Sequence, residues 1–245
     1  MEEKDMTLIE HLEELRKRLF ITLGSLIIFF IIGSFYAKDL YEFFVKDIED
    51  KLTILGPTDV LWVYLMIMTL FAVTCTIPVL ALQIWLFVKP ALRPKEQKVT
   101  LTYVPALFFL FIGGLSFGYF VVFPTVMNFL MSLSGEMFET MFTTEKYFKF
   151  LLNMTLPFGI LFELPLVIMF LTSMGLINPV FLQKNRKYAY FILVVVGVVV
   201  SPPDFISDFL VIIPLLFLYE VSLTLSRWVY RKRLKANKNE GQLID

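Results

Sequence analysis

Three carboxylates occupy positions where an acid is either costly or conspicuous. Glu14 lies in the charged stretch His11-Leu12-Glu13-Glu14-Leu15-Arg16-Lys17-Arg18. Glu96 is a lone acid among four basic residues in Lys89-Pro90-Ala91-Leu92-Arg93-Pro94-Lys95-Glu96-Gln97-Lys98. Glu163 sits inside the apolar run Phe158-Gly159-Ile160-Leu161-Phe162-Glu163-Leu164-Pro165. A carboxylate accepts a planar guanidinium through two parallel bonds, which an ammonium does not reproduce. Two separated carboxylates, Glu14 and Glu96, can therefore read two adjacent arginines. Glu96 has a second reading, as an acid neutralised by the cations beside it. Glu163 carries three readings: a proton carrier, a docking group for a partner, or an internal polar clip. An ionisable side chain in hydrocarbon is a functional candidate by default. Gln83 and Asn153 are further polar groups within apolar runs, able to bond across helices. Glu220 lies near the end of the last apolar run, where it can snorkel, with Arg227 close behind.

Catalytic constellations are missing from the sequence. The single cysteine, Cys75, excludes an internal disulfide framework and a Cys-based zinc cage, and reads as a small buried hydrophobe. The single histidine, His11, excludes a His-His metal site and a Ser-His pair deep in an apolar segment. There is no H-E-x-x-H, no Walker loop and no dinucleotide fingerprint. No metal, no cofactor and no nucleic-acid partner are expected, and an enzyme is disfavoured.

The elements that must position these residues are apolar. The chain is 58% hydrophobic and 18% charged, with 27 Phe among its 245 residues; soluble domains carry about 25% charge. A spanning helix needs about 20 apolar residues. Six runs qualify as candidates: 19–36, 60–88, 99–124, 150–174, 188–200 and 205–228. The loops between them divide the cations unevenly. Segments 1–18, 89–98, 175–187 and 227–245 hold 17 of the 22 Lys and Arg, and the opposite loops hold five. Positive charge stays on the cytoplasmic side, so both termini are expected in the cytoplasm. The expected fold is an all-α integral membrane protein with six transmembrane helices in a single polytopic domain, 1–245. The first run follows a charged stretch and lacks a small-x-small cleavage site, so it reads as a permanent helix rather than a cleaved signal.

Several local features refine this picture. Leu8, Leu12, Leu15 and Leu19 share one face of a helix, so 1–18 reads as an amphipathic cytoplasmic segment at the interface. Glu14 precedes Arg18 by four residues, the favourable direction for a helical ion pair. That segment is either an anchor that fixes topology or part of a recognition surface. The fifth run is short, and Ser201-Pro202-Pro203-Asp204 breaks it, with Asp204 placed to cap the next helix. The outer ends of the last two runs are therefore expected below the bilayer surface, in a thinned, wet region. Pro78, Pro105, Pro124, Pro157, Pro165 and Pro214 suggest kinked helices and a concave body, although membrane helices also tolerate proline. Gly113, Gly114 and Gly118 allow close helix approach.

Taken together, these motifs resemble the TatC family, the multispanning core of the twin-arginine protein translocase. The stretch 11–18 resembles its N-terminal H-L-x-E-L-R-x-R signature. The resemblance continues through Gln83-Ile84-Trp85-Leu86-Phe87-Val88-Lys89-Pro90-Ala91-Leu92, Pro94-Lys95-Glu96, Gly118-Tyr119-Phe120, Phe123-Pro124, Phe158-Gly159 with Phe162-Glu163-Leu164-Pro165, and Ser201-Pro202-Pro203-Asp204. Ser201 departs from the more usual Thr, and the first outer loop, Phe44-Val45-Lys46-Asp47-Ile48, lacks the family's small-Pro-Leu element.

The resemblance implies a receptor for signal peptides bearing paired arginines, exporting folded proteins with the proton-motive force from the inner membrane. It implies that Glu14 and Glu96 contact the arginines, with Arg16, Arg18, Phe87 and Leu8 on the same cytoplasmic surface. It implies that Glu163, with Gln83 as a second intramembrane polar group, docks single-span TatA- or TatB-type partners. Pro202, Pro203 and Asp204 would form a periplasmic cap. Other copies of the chain and the lipid bilayer are further implied partners. The implied fold is a curved, cup-like set of six helices with two short final spans. Two other functions are weighed beside it: a proton-coupled small-molecule transporter using Glu163, and a purely structural scaffold indifferent to Glu14 and Glu96.

Overall fold

The computed structural model describes residues 8–46, 52–89, 101, 103–134, 142–201 and 205–241. The described elements are helical: α1 (Leu8–Val45), α2 (Pro57–Val88), α3 (Tyr103–Phe117), a π-helical segment (Gly118–Val122), α4 (Phe123–Ser134), α5 (Thr144–Leu161), α6 (Leu164–Met174), α7 (Pro179–Lys184), α8 (Arg186–Val200) and α9 (Phe205–Gly241). Five stretches among the described residues are long and apolar enough to cross a membrane: Leu12–Val45, Pro57–Val88, Tyr103–Leu133, Thr144–Met174 and Phe205–Leu234. This is a multi-pass membrane protein. Helices suit that solvent because each satisfies its own backbone within the segment.

The helices overrun the apolar runs that announce them. α1 starts eleven residues before the run at 19–36 and ends nine beyond it, because the flanking charged residues are themselves good helix formers. The final two helices were both expected to be short. Only α8 is, at 15 residues or roughly 22 Å of rise. α9 instead runs 37 residues, carrying the apolar stretch straight into its basic tail. The segment 175–187, expected as a loop, contains α7. Asn178 caps it by accepting from Val180 N at 2.9 Å, and Pro179 takes the first helical position.

Prolines behave unequally. Pro78, Pro157 and Pro214 lie inside helices that continue through them, and Pro105 lies in the first turn of α3. At two sites the helix departs from α geometry. Ahead of Pro124 it widens into the π segment, where Phe123 N–H reaches back five residues to Gly118 O. Ahead of Pro165 it breaks between α5 and α6. A proline ring clashes with the carbonyl four residues back, and these two adjustments remove the clash.

The chain forms two compact units, 1–108 with 143–145, and 109–142 with 146–245. In the first, α1 and α2 form an antiparallel hairpin. Its turn is fixed by Asp59, whose carboxylate accepts from Leu55 N and Gly56 N at 3.0 and 3.1 Å. Gly33 lets α1 approach Met68 and Phe71, and Tyr36 stacks on Phe71 with ring centroids 5.9 Å apart. A single parallel bridge joins Thr53 to Thr143, with Thr144 N donating to Thr53 O at 3.0 Å. Cys75, expected to be buried, is only half-buried on α2.

In the second unit, α3 and the π segment pack against α5 through glycine. A Cβ on Gly114 would lie 2.4 Å from Phe158 O and 2.8 Å from Gly159 Cα. A Cβ on Gly118 would lie 2.8 Å from Thr155 Cα. Gly113 has open space around it, so only two of the three glycines form the contact. Phe117 fills the space beside them against Phe158 and Phe162, both at 5.5 Å. α9 packs on α6 through a buried Thr172–Ser226 hydrogen bond of 2.8 Å. It packs on α8 where Gly197 admits Ile212. At the α8–α9 turn, Ser201 Oγ bonds the Asp208 carboxylate; Pro202, Pro203 and Asp204 lie outside the described residues, and the expected cap with them.

Backbone contact cannot yield as a flexible side chain can, and overpacking a tight contact costs about 1–3 kcal/mol. Gly114→Ala should therefore lower the thermal midpoint of the detergent-purified chain by several degrees, while Gly113→Ala leaves it unchanged. Equal midpoints for the two variants would refute the close approach.

Candidate functional site

The N-terminal signature builds its site across the α1–α2 hairpin. Glu14 and Arg18 are one turn apart on α1, and Arg18 Nη2 donates to Glu14 Oε1 at 2.8 Å. Arg18 Nη1 donates to Gln83 Oε1 on α2 at 3.2 Å. Gln83 was grouped with Glu163 in the sequence reading; the structure bonds it to Arg18 instead. The pair is substantially shielded, with side-chain exposures of 18% for Glu14 and 23% for Arg18. Two atoms of this cluster, Glu14 Oε2 and Arg18 Nε, are buried with no hydrogen-bond partner among the described residues. A buried polar atom without a partner carries a desolvation cost, so Glu14 Oε2 is a primed acceptor for a cationic donor.

Around this cluster α1 is open. Arg16 is exposed and makes only a long contact with Glu13, 3.7 Å, both side chains near 70% exposed. Leu12, Leu15 and Leu19, the expected apolar face, are exposed, as a helix lying against lipid or a ligand requires. Only the backbone of Leu8 is described. On α2, Phe87 is half-buried four residues after Gln83, and Lys89 Nζ lies over the Trp85 ring at 5.2 Å. Glu96, with Pro94 and Lys95, lies outside the described residues, so the second expected carboxylate has no described place beside the first.

Glu163 stands at the break between α5 and α6. Phe162 N–H donates to Phe158 O at 2.9 Å, and Glu163 N–H donates three residues back to Ile160 O at 3.2 Å. Its own carbonyl then accepts from Leu166 and Val167. The tightened turn follows from Pro165, which offers no N–H to Leu161 O. Both Glu163 carboxylate oxygens are buried without a partner among the described residues. Of the three readings, the internal clip therefore has no described partner.

A second acidic cluster was not read from the sequence. Glu220 does not simply snorkel. Its carboxylate on α9 accepts from Arg186 Nη2 at 2.9 Å and from Tyr190 Oη at 2.5 Å, both on α8. Next to it on α9, Tyr219 Oη donates to Leu182 O of α7 at 2.9 Å, and Arg227 faces the amide of Gln183. These bonds tie α7 and α8 to α9. The signal was present in the types alone, an acid and a tyrosine near two arginines, but the partners are 34 residues apart.

Comparison with known proteins agrees with this geometry. A family model described as Sec-independent protein translocase protein (TatC) matches residues 10–214. The chain is similar to TatCd of Bacillus subtilis (strain 168), 54% identical over 235 residues, covering 96% of this chain and 97% of that one. It is also similar to TatCy of the same organism, 42% identical, covering 97% and 95%. A solved structure described as the crystal structure of a twin arginine translocase receptor, TatC, superposes with a TM-score of 0.79 at 32% identity, over 90% of this chain and 99% of that one.

Half-exposed ion pairs contribute up to about 1 kcal/mol, and Glu220 also holds a tyrosine hydroxyl. Glu220→Ala should lower the thermal midpoint in detergent by a few degrees, and Tyr190→Phe by less. If neither variant moved it, the cluster would not be holding α8 on α9.

Proposed function

Because this chain belongs to the TatC family of Sec-independent protein translocase proteins, we propose that it is a membrane receptor for signal peptides bearing paired arginines and a scaffold for exporting the folded proteins they lead. The observation that carries the reading is the Glu14 carboxylate: shielded, held by Arg18 through one oxygen, and with the other unpartnered among the described residues. That is an acceptor shaped for a guanidinium. Glu96 supplies the second acceptor, Arg16 and Phe87 border the site, and Leu8 extends its apolar margin. Six spans place both termini in the cytoplasm, consistent with the concentration of Lys and Arg in 1–18, 89–98, 175–187 and 227–245. On that topology Glu14 and Glu96 face the compartment in which the peptide arrives. Family membership favours this reading over a small-molecule transporter.

Each charge-assisted hydrogen bond contributes about 1.5–3 kcal/mol, or roughly tenfold or more in affinity. A fluorescent Arg-Arg signal peptide titrated against the detergent-purified chain should bind at least tenfold tighter than its Lys-Lys twin. Glu14→Gln and Glu96→Gln should each erase that preference, and Glu10→Gln should weaken binding less than Glu96→Gln. Binding indifferent to Arg versus Lys would remove the receptor role.

Glu163 is the docking group for a single-span TatA- or TatB-type helix, whose polar side chain would satisfy the carboxyl within the membrane. The supporting observation is a carboxylate with both oxygens buried and unpartnered among the described residues. Glu163→Ala should reduce the amount of single-span subunit that co-purifies with the chain while leaving signal-peptide affinity unchanged. Undiminished co-purification would return Glu163 to the proton-carrier reading.

A further inference from the structure

The ion pair between Glu14 and Arg18 is half of a standard fork. A guanidinium grips a carboxylate through two parallel N–H···O bonds, often from Nη2 and Nε. Here Nη2 is bonded to Oε1, while the two atoms that would complete the fork, Arg18 Nε and Glu14 Oε2, are both buried and unpartnered among the described residues. The residues are one helical turn apart, so the chain does not prevent closure. What competes is Gln83: its amide oxygen holds Nη1 from the neighbouring helix, at 3.2 Å. An arginine already in the site is the strongest rival of an incoming one. If the fork closed, Oε2 would be consumed by Arg18 and the acceptor offered to a ligand would vanish.

We propose that Gln83 is a specificity-determining residue: by holding Arg18 Nη1, it keeps the Arg18–Glu14 fork half-made and reserves Glu14 Oε2 for an arginine of the incoming peptide. Gln83 acts through Arg18 and need not touch the peptide. This inference rests on the receptor reading of Glu14. It explains why a neutral amide stands at this depth on α2: its oxygen accepts from a guanidinium without adding a second anion to compete for the ligand. It also gives Arg18 a defined task, to orient Glu14 and shield one of its oxygens.

The test titrates the Arg-Arg peptide and its Lys-Lys twin against the full chain and four variants: Gln83→Leu, Gln83→Glu, Arg18→Gln, and Arg18→Gln with Gln83→Leu. Releasing Arg18 should let the fork close, so Gln83→Leu should weaken Arg-Arg binding about tenfold and shrink the Arg-over-Lys preference. Gln83→Glu still accepts from Arg18 and should stay within roughly threefold of the parent. With Arg18 already replaced, adding Gln83→Leu should change affinity by less than about twofold, because the rival is gone. A merely structural role for Gln83 would give the same loss in both backgrounds, and that result overturns the proposal. So does unchanged affinity of Gln83→Leu in a chain whose parent prefers Arg-Arg. A parent without any Arg-over-Lys preference defeats the receptor reading itself, and this inference with it.

Discussion

Lipid provides no hydrogen-bond partner, and that single constraint orders the rest of this structure. Every polar group carried into an apolar run must find its partner within the chain or wait for one from outside. The hydroxyls of Thr69, Thr74, Thr76 and Thr172 turn back onto the carbonyl one turn earlier. Thr172 and Ser226 also meet across α6 and α9. Gln83 pairs with Arg18, and Glu220 with Arg186 and Tyr190. Against that background the exceptions carry the function. Glu14 Oε2 and the Glu163 carboxylate are the acidic oxygens left buried and unpartnered among the described residues, and they are the groups proposed to meet a peptide and a partner helix.

Between lipid-solvated helices the hydrophobic effect offers little, so close packing and small residues carry the association. The contact of α3 with α5 depends on which glycine faces inward, and the hairpin of α1 and α2 on Gly33. The cytoplasmic-type residues at the ends of these helices then inherit a rigid base. Glu14 and Gln83 are positioned by the same hairpin that Gly33 and Tyr36 pack together, so the recognition cluster sits on two packed helices rather than on a loop.

Much of the fold was legible because hydropathy and proline act locally. The end of α2 at Val88, the end of α8 at Val200 and the break before Pro165 all fall where apolar runs stop or proline removes a donor. Glu14 and Arg18 were legible as a pair because one helical turn separates them. Tertiary pairings were not. Gln83 finds Arg18 across 65 residues and Glu220 finds Arg186 across 34; from the sequence, Glu220 shows only its helical neighbour Arg227. Gly113 and Gly114 are equivalent as letters, and only the rotation of α3 decides which one meets Phe158. α7 was missed although Asn178-Pro179 is a helix-start signal, because a six-residue helix carries too short a pattern to outweigh its surroundings.

The π segment before Pro124 changes the phase of everything after it. Each residue of an α-helix advances the face by about 100°. A widened turn absorbs one extra residue, so α4 is rotated by about that angle from where an unbroken α3 would have aimed it. The stripe of α3 that carries Gly114 and Phe111 therefore does not continue along α4 by simple periodicity; Phe123 and Val126 take over the buried side from a new starting angle. The proline that forces the widening is thus also a dial that sets which residues of α4 face inward. Losing one residue anywhere in Gly118–Val122 would turn that dial, exchanging buried and lipid-facing side chains along the whole remaining helix while leaving its composition and hydropathy almost unchanged.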